Sequence, residues 1–505
     1  MTHTGWILRA ALLAATLAWL PLPTSSFDRY HLVREALLLL ACAPLCWMLR
    51  RAQLDRIDAL VGALLAATIA SALLASNAAL TARATALTFA GAVIFWSARA
   101  HEGVDVERLW AWALGGVVLL AALALLEAHG VIYGLSWPGR APGSLAGQRN
   151  AVAHASLLAL PLALRLAEQA GVRRALALGA AALLVATVIV TRTRAAWLVL
   201  PLVVVTWIWV RADLAPTLQA LAAMAVGIAA GLLPNRLAWR SATPYADTLR
   251  GLVDARHGSG LGRVTQLWRS LALVAQAPLL GVGPGNWQVH YPRVARAGDA
   301  GFAPYAAFPT ARLLTNDWMA LLAERGLAAL IGALLLAAAL ARRLWRQRAD
   351  DAPTTAAALA LGVGAAALAL LDAVLQTVTP LALVATAMGT AVPRHNPQRE
   401  SAAPATRRRA LAAGLCCAAC IAMAAWHAAS LTSLAISSSP AARLAELERA
   451  ARIAPQRSAL RLRLARAYVA MDRCDQALPH IGALRRQLPF HAIPQQLARA
   501  CAAPR

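Results

Sequence analysis

The stretch GSGLGRVTQLWRSLALVAQAPLLGVGPGNWQVHYPR, from Gly258 to Arg293, decides how the rest of this 505-residue chain is read. It is rich in glycine and carries Arg263, Arg269 and Arg293, yet it interrupts a sequence that is otherwise soluble in lipid. Overall 60% of the residues are hydrophobic and 14% charged, with a positive mean hydropathy, which lies far outside the soluble range. The chain is therefore expected to be a polytopic membrane protein, and the quoted stretch a wet insertion between two of its spans.

About twenty apolar residues cross a bilayer. Such stretches fall near 6–23, 31–49, 58–75, 81–98, 108–128, 151–168, 174–190, 195–211, 215–233, 314–341, 354–371, 374–391 and 409–430. They predict an all-α fold, a membrane bundle of about twelve or thirteen transmembrane helices. The first stretch reads as a retained helix and not a cleaved signal, because the apolar run from His31 follows at once.

The net charge is +25 and lysine is absent, so the cationic excess is arginine. Arg50 and Arg51, Arg99 and Arg108, Arg173 and Arg174, Arg342 to Arg348, and Arg407 to Arg409 all fall in alternate short connections, which places those connections in the cytoplasm. The amino terminus is then cytoplasmic, and the large loop and carboxyl terminus lie outside. A charge of this size in a soluble chain would suggest nucleic acid. Here the arginines are accounted for as topology anchors near lipid headgroups, and no nucleic acid is expected.

Four regions follow: an amino-terminal bundle over 1–233, a large outward loop over 234–313, further membrane helices over 314–436, and a tail over 437–505. Within the loop, Val264, Leu267, Trp268, Leu271, Val274 and Ala275 recur at helical spacing, with Arg263, Gln266, Arg269 and Ser270 on other faces. That describes an amphipathic helix at the membrane surface. After a linker at Ser437 to Pro440, Pro455 and Pro489 stand 34 residues apart. Leu464, Ala465, Tyr468, Ala477 and Ile481 between them fit the tetratricopeptide pattern, so the tail looks like a helical repeat that docks a partner or caps the bundle.

Cys42, Cys46, Cys416, Cys417 and Cys420 fall within spans as small apolar residues. Cys474 and Cys501 both lie in the outward tail, where a disulfide and two thiols are both open. No cysteine has metal-site spacing with histidine, and no phosphate-binding loop or nucleophile elbow occurs, so neither metal nor cofactor is expected.

Several arginines would face outward: Arg192 and Arg194 in TRTRAAW, then Arg263, Arg269, Arg293 and Arg312. A guanidinium fork makes two charge-assisted bonds to a phosphate and keeps its charge; snorkelling to headgroups is the other reading of Arg192 and Arg194. Thr315, Asn316 and Asp317 open the tenth span, where they either cap the helix or take part in chemistry. Glu324 lies deeper in that span, as an arginine partner or a structural group. His290 is a further candidate base, or a plain loop histidine. Gln148 and Asn150 lie in the outward loop near 128–150. The GVGPGN turn could cradle an anion or merely reverse the chain.

On GQRNAVAHASLLALPL, TRTRAAW, the Gly258 stretch, TNDWMALLAERG and LDAVLQTVTP, in that order from Gly147 to Pro380, the chain resembles the O-antigen ligase and polysaccharide polymerase superfamily. That superfamily includes pilin O-oligosaccharyltransferases, and some members carry tetratricopeptide tails. The resemblance implies a bacterial inner-membrane enzyme that moves a glycan from undecaprenyl diphosphate to an acceptor hydroxyl on the periplasmic face. Neither a metal nor a nucleotide sugar would be needed. It implies a polymerase or a protein O-oligosaccharyltransferase as alternatives, with lipid A core, a protein or a polysaccharide as acceptor. Diphosphate-binding arginines would fall on Arg192 or Arg194 and on Arg263, with Arg269 and Arg312 as further candidates. Where the family's ligases place a histidine before the asparagine, this chain has Thr315, which leaves Asp317, His290 or another group as base. A lipid-linked glycan transporter and an inactive assembly scaffold are the rival readings. A transporter would show internal repeats and helices broken at mid-membrane, and the sequence displays neither.

Overall fold

The computed structural model describes residues 3–502 apart from 21–27, 50–54, 101–104, 138, 240, 253, 255–257, 297, 300–311, 395–406 and 440–441. Arg50 and Arg51, Pro440 of the linker, and part of the large loop thus lie outside the described residues.

The described residues form α-helices and no strands. The first nine are α1 (His3–Leu17), α2 (Asp28–Met48), α3 (Arg56–Ala72), α4 (Ala78–Ala100), α5 (Val106–Ala128), α6 (Arg149–Leu166), α7 (Val172–Thr191), α8 (Arg194–Arg211) and α9 (Leu214–Gly231). The large loop holds α10 (Pro244–Arg250), α11 (Gly258–Gln276) and the single turn α12 (Trp287–His290). Then come α13 (Asp317–Gln347), α14 (Ala352–Leu371), α15 (Val378–Ala391) and α16 (Arg407–Ile436), followed by the tail helices α17 (Leu444–Ile453), α18 (Ser458–Ala470), α19 (Cys474–Gln487) and α20 (Ala492–Ala502).

Each apolar stretch marked in the sequence holds a helix among the described residues. Among the described residues nine helices, α2, α4, α5, α7, α8, α9, α13, α14 and α16, are long and apolar enough to cross a bilayer. The protein is a multi-pass membrane helical bundle. The other four stretches fall short for visible reasons: α1, α3 and α15 have 15, 17 and 14 residues, and α6 carries Arg149, Asn150, His154 and Arg165. Large apolar side chains such as Leu73, Trp209, Val226, Leu335 and Leu411 stay exposed around the bundle; in a soluble protein such a belt would aggregate, whereas lipid covers it here.

Lipid tails are as apolar as leucine, so close backbone approach, more than hydrophobic burial, holds such helices together. Gly227 and Gly231 of α9 form a GxxxG step against α7, where an added Cβ would lie 2.3 Å from the Ala182 carbonyl oxygen and 2.8 Å from that of Ala186. Cys42, Ala43 and Cys46 of α2 share the core with Cys420 and Ala424 of α16, the most extensive helix pair in the molecule.

The tail helices stack in sequence around Leu447, Ala450, Leu460, Leu464, Ala465, Tyr468, Ala477, Ile481 and Leu484. Of the two states left open by the sequence, the structure has the disulfide, Cys474 to Cys501, which clips α19 to α20. Val289 and Leu80 join the same core, Asn77 donates to the Gln487 carbonyl at 2.8 Å, and the His290 ring lies 4.8 Å from Phe490. The helical tail is therefore seated on the bundle, at the end that also carries the large loop, here termed the loop end.

A Gly227→Leu substitution should drive α7 and α9 apart and cost on the order of 1–3 kcal/mol, as overpacking does. The measurement is the Tm of the purified variant in detergent; an unchanged Tm would show that this helix pair does not limit stability.

Candidate functional site

Helix α11 keeps its polar stripe inward and its apolar stripe outward. Gln266, Ser270 and Leu273 are buried, whereas Val264, Trp268 and Leu271 are 50%, 70% and 41% exposed. The inward side chains are all spent: the Thr315 hydroxyl donates to Gln266 Oε1 at 3.0 Å, Trp287 Nε1 donates to Ser270 Oγ at 2.8 Å, and Arg269 makes two bonds to Asp299 at 2.7 and 2.8 Å. Such a helix is fixed to protein by hydrogen bonds and leaves its apolar side exposed.

Beneath it, α13 is broken at Gly326 (φ 77°), nine residues from its start. An added Cβ there would meet the Leu279 carbonyl oxygen at 2.1 Å, so only glycine admits the crossing chain. The GVGPGN turn folds onto this break through Val282 N–H to Ala323 O at 3.0 Å, Gly283 N–H to Glu324 O at 2.9 Å and Leu327 N–H to Pro278 O at 2.8 Å. The Glu324 carboxylate accepts from Gly285 N at 2.8 Å and Trp287 N at 3.2 Å. The turn thus both reverses the chain and presents its N–H groups to an anion, and that anion is the protein's own.

At the start of α13 the side chains divide their tasks. Asn316 caps the helix, accepting from Met319 N at 2.8 Å, and donates to the Leu370 carbonyl at 2.8 Å. Asp317 accepts from Val374 N, Leu375 N and Gln376 Nε2 at 2.9, 2.7 and 2.9 Å, which pins the link between α14 and α15. That link presents Asp372, and on Asp372 Oδ2 converge Arg263 Nη2 at 2.9 Å, Asn150 Nδ2 at 3.1 Å and His154 Nε2 at 3.8 Å. Thr193 Oγ1 donates onward to Asn150 Oδ1 at 3.3 Å.

The fold therefore gathers Arg263, Asn150, Thr315, Asn316 and Asp317 with Asp372 and His154. Other candidates lie elsewhere. Arg192, held in a left-handed conformation (φ 53°), bonds Thr248 Oγ1 at 2.8 Å and stands over Trp239 at 4.6 Å, which Arg149 approaches at 5.5 Å. Among the described residues Arg192 makes no ion pair. Arg194 begins α8 beside Gly251, and Gln148 is the N-cap of α6 without a capping bond. His290 is buried between Ser76, whose hydroxyl is 2.9 Å from Nε2, and Phe490 of the tail.

A cavity of about 700 Å³ opens beside this cluster. At the loop end its wall is polar, with Asp28, Glu35, Arg83, Arg312, Asp317, Gln376 and Arg457. It then continues between α4, α13, α14 and α15 as far as Phe95, Leu344 and Met388, along side chains that are mostly apolar but include Arg325, which donates to Thr88 Oγ1 at 3.1 Å. From Leu80 to Phe95 on α4 it runs about 22 Å at 1.5 Å per residue. It is a slot with a charged head and a mostly apolar shaft.

No family model matches the chain, and no curated protein does.

Asp372, His154, Asp28 and Arg83 were not singled out in the sequence as site residues. A signal was present: charged groups set in or beside apolar spans are costly enough to mark function. Arg263 and Asp372 are 109 residues apart and Asn150 and Asp372 are 222 apart, so only the fold pairs them.

Burial and the neighbouring Arg293 push the His290 imidazole down to about 4 from its ordinary 6.5. His290 is thus neutral at pH 7. Above pH 6.5 it is neutral folded and unfolded alike; as pH falls from 6.5 towards 4 only the unfolded state takes up the proton, so stability declines across that window. Tm measured against pH should fall less steeply there for His290→Gln than for the unsubstituted protein, and parallel curves would refute the assignment.

Proposed function

We propose that this protein transfers a glycan from undecaprenyl diphosphate to an acceptor hydroxyl at the loop end, which lies on the periplasmic face of a bacterial inner membrane, in the manner of the O-antigen ligase superfamily it resembles. The observation that carries the reading is the slot. Its shaft suits a long hydrocarbon chain and its charged head suits a phosphorylated terminus, and Arg263, Asp317 and Asp372 stand at or beside that head. The tail disulfide supports the orientation, since such bonds persist in oxidising compartments.

In this reaction the acceptor oxygen bonds to the anomeric carbon as the bond from that carbon to the phosphate oxygen breaks. The electron pair leaves with undecaprenyl diphosphate, and the acceptor proton passes to a base. Leaving is eased where guanidinium groups neutralise the developing charge, and here that group is Arg263, with Arg312 at the rim. For the base we assign the Asp372 carboxylate, on which Arg263, Asn150 and His154 converge; Thr315 is bonded to Gln266, Asp317 to the 374–376 link, and His290 faces the tail. A carboxylate suffices for a hydroxyl attacking an oxocarbenium-like centre, as in inverting glycosidases. Arg263 and Asn150 hold Asp372 in place, and His154 backs it. The acceptor enters the reading only as a hydroxyl; lipid A core, a protein and a polysaccharide chain all supply one.

The test uses the full chain in vesicles with undecaprenyl-diphosphate glycan and follows release of free undecaprenyl diphosphate. Arg263→Ala and Asp372→Asn should each reduce release by roughly 10²–10³-fold, the scale of removing one charge-stabilising donor, with Tm retained. Full transfer by Arg263→Ala would remove it from the site. A transporter would move the donor between leaflets and release no undecaprenyl diphosphate.

A further inference from the structure

The C-terminal repeat lies on the bundle and also enters the slot. Gln456, Arg457 and Ser458, from the turn between α17 and α18, line its charged head beside Asp28, Arg83 and Arg312 of the membrane domain. Arg457 is aimed from behind, since its Nη1 donates to Ser433 Oγ at 2.9 Å and Ser437 Oγ at 3.3 Å at the end of α16.

Two of the carboxylates at this head, Glu35 and Asp28, face Arg83. Glu35 takes a two-pronged bond from Arg83, Nε to Oε2 at 2.7 Å and Nη2 to Oε1 at 2.8 Å, and a third contact from His427 Nε2 at 2.9 Å. Asp28 Oδ1 instead stands 3.4 Å from Arg83 Nη1 and 3.4 Å from Arg312 Nη1, near the outer limit of an ion pair. Asp28 Oδ1 thus stands between two guanidinium groups, where a phosphate oxygen would meet both. Three arginines, Arg83, Arg312 and Arg457, face Asp28, Glu35 and Asp317 around this head.

We infer that Asp28 occupies the position of a phosphate oxygen of the bound lipid, and that Arg457 of the repeat completes the head-group site with Arg83 and Arg312. The inference rests on the reading of the slot as a lipid site. It makes the repeat a wall of the binding site itself. When the phosphorylated head enters, Asp28 yields its two guanidinium contacts and Arg457 closes on the head from above. A repeat that only docked a partner would have no reason to place a guanidinium inside a membrane cavity.

The experiment measures binding of radiolabelled undecaprenyl diphosphate to the full chain in phosphatidylcholine nanodiscs, with unlabelled inorganic diphosphate as competitor. Asp28→Asn removes the resident competitor and should tighten binding several-fold, whereas Arg457→Ala removes a charged contact and should weaken it about tenfold. Arg457→Lys should recover part of that loss. The opposite signs at Asp28 and Arg457 are what a merely structural role could not produce: if both substitutions weaken binding, or neither changes it, the inference falls. If Asp28→Asn does not fold, equal binding by Arg457→Ala and the unsubstituted chain overturns the inference by itself, and a tenfold loss rescued by lysine upholds the role of Arg457. Should the unsubstituted protein bind no undecaprenyl diphosphate, the slot reading itself fails. Full displacement by inorganic diphosphate at equal concentration would likewise show a phosphate site without a lipid one.

Discussion

Backbone N–H groups near membrane depth have no water to turn to, and at the loop end of this bundle buried carboxylates answer for them. Glu127 accepts from Ser136 N, Gly143 N and Ser144 N, each at 3.0 Å, and so folds the 128–150 loop back on α5. Glu324 does the same for the GVGPGN turn, and Asp317 for the link from α14 to α15. Each is a charge-assisted contact, stronger than a neutral one. Together they set where Asn150, Trp287 and Asp372 stand, and with these the surroundings of Arg263.

This dependence runs one way. The spans could pack through their alanines and glycines without those carboxylates, but the loops could not take one conformation. An uncompensated N–H buried there would cost about 1–3 kcal/mol, and three loops held by three acids amount to a large share of the marginal stability of any protein. Acidic residues are scarce in this arginine-rich chain, and several of them are spent on this task.

Much of this could be read from the amino-acid order, and some could not. The apolar stretches all became helices because about twenty lipid-soluble residues leave the backbone few other choices. Spans such as α1 and α15 came out shorter than the apolar runs, since apolarity does not say where a helix stops. The greasy stripe of α11 was legible, but not that Gln266 and Ser270 would be its buried side; their partners Thr315 and Trp287 come from distant segments. The break at Gly326 was not legible either, because a lone glycine in ERGLAAL suits an unbroken helix, and only the Leu279 carbonyl pressed against it demands otherwise. Arg263 was found from its residue type and its place in the loop. Asp372, its partner, looked like an ordinary residue after a span.

Helix α11 is tied to the protein by polar bonds and leaves Trp268 exposed on its apolar side. Arg263 rides on the same helix and reaches Asp372 from it. On the proposed reading, in which a leaflet covers that side, leaflet thickness and headgroup packing become geometric parameters of this pair, and the same polypeptide in a thinner or looser membrane would hold its cation at a different elevation.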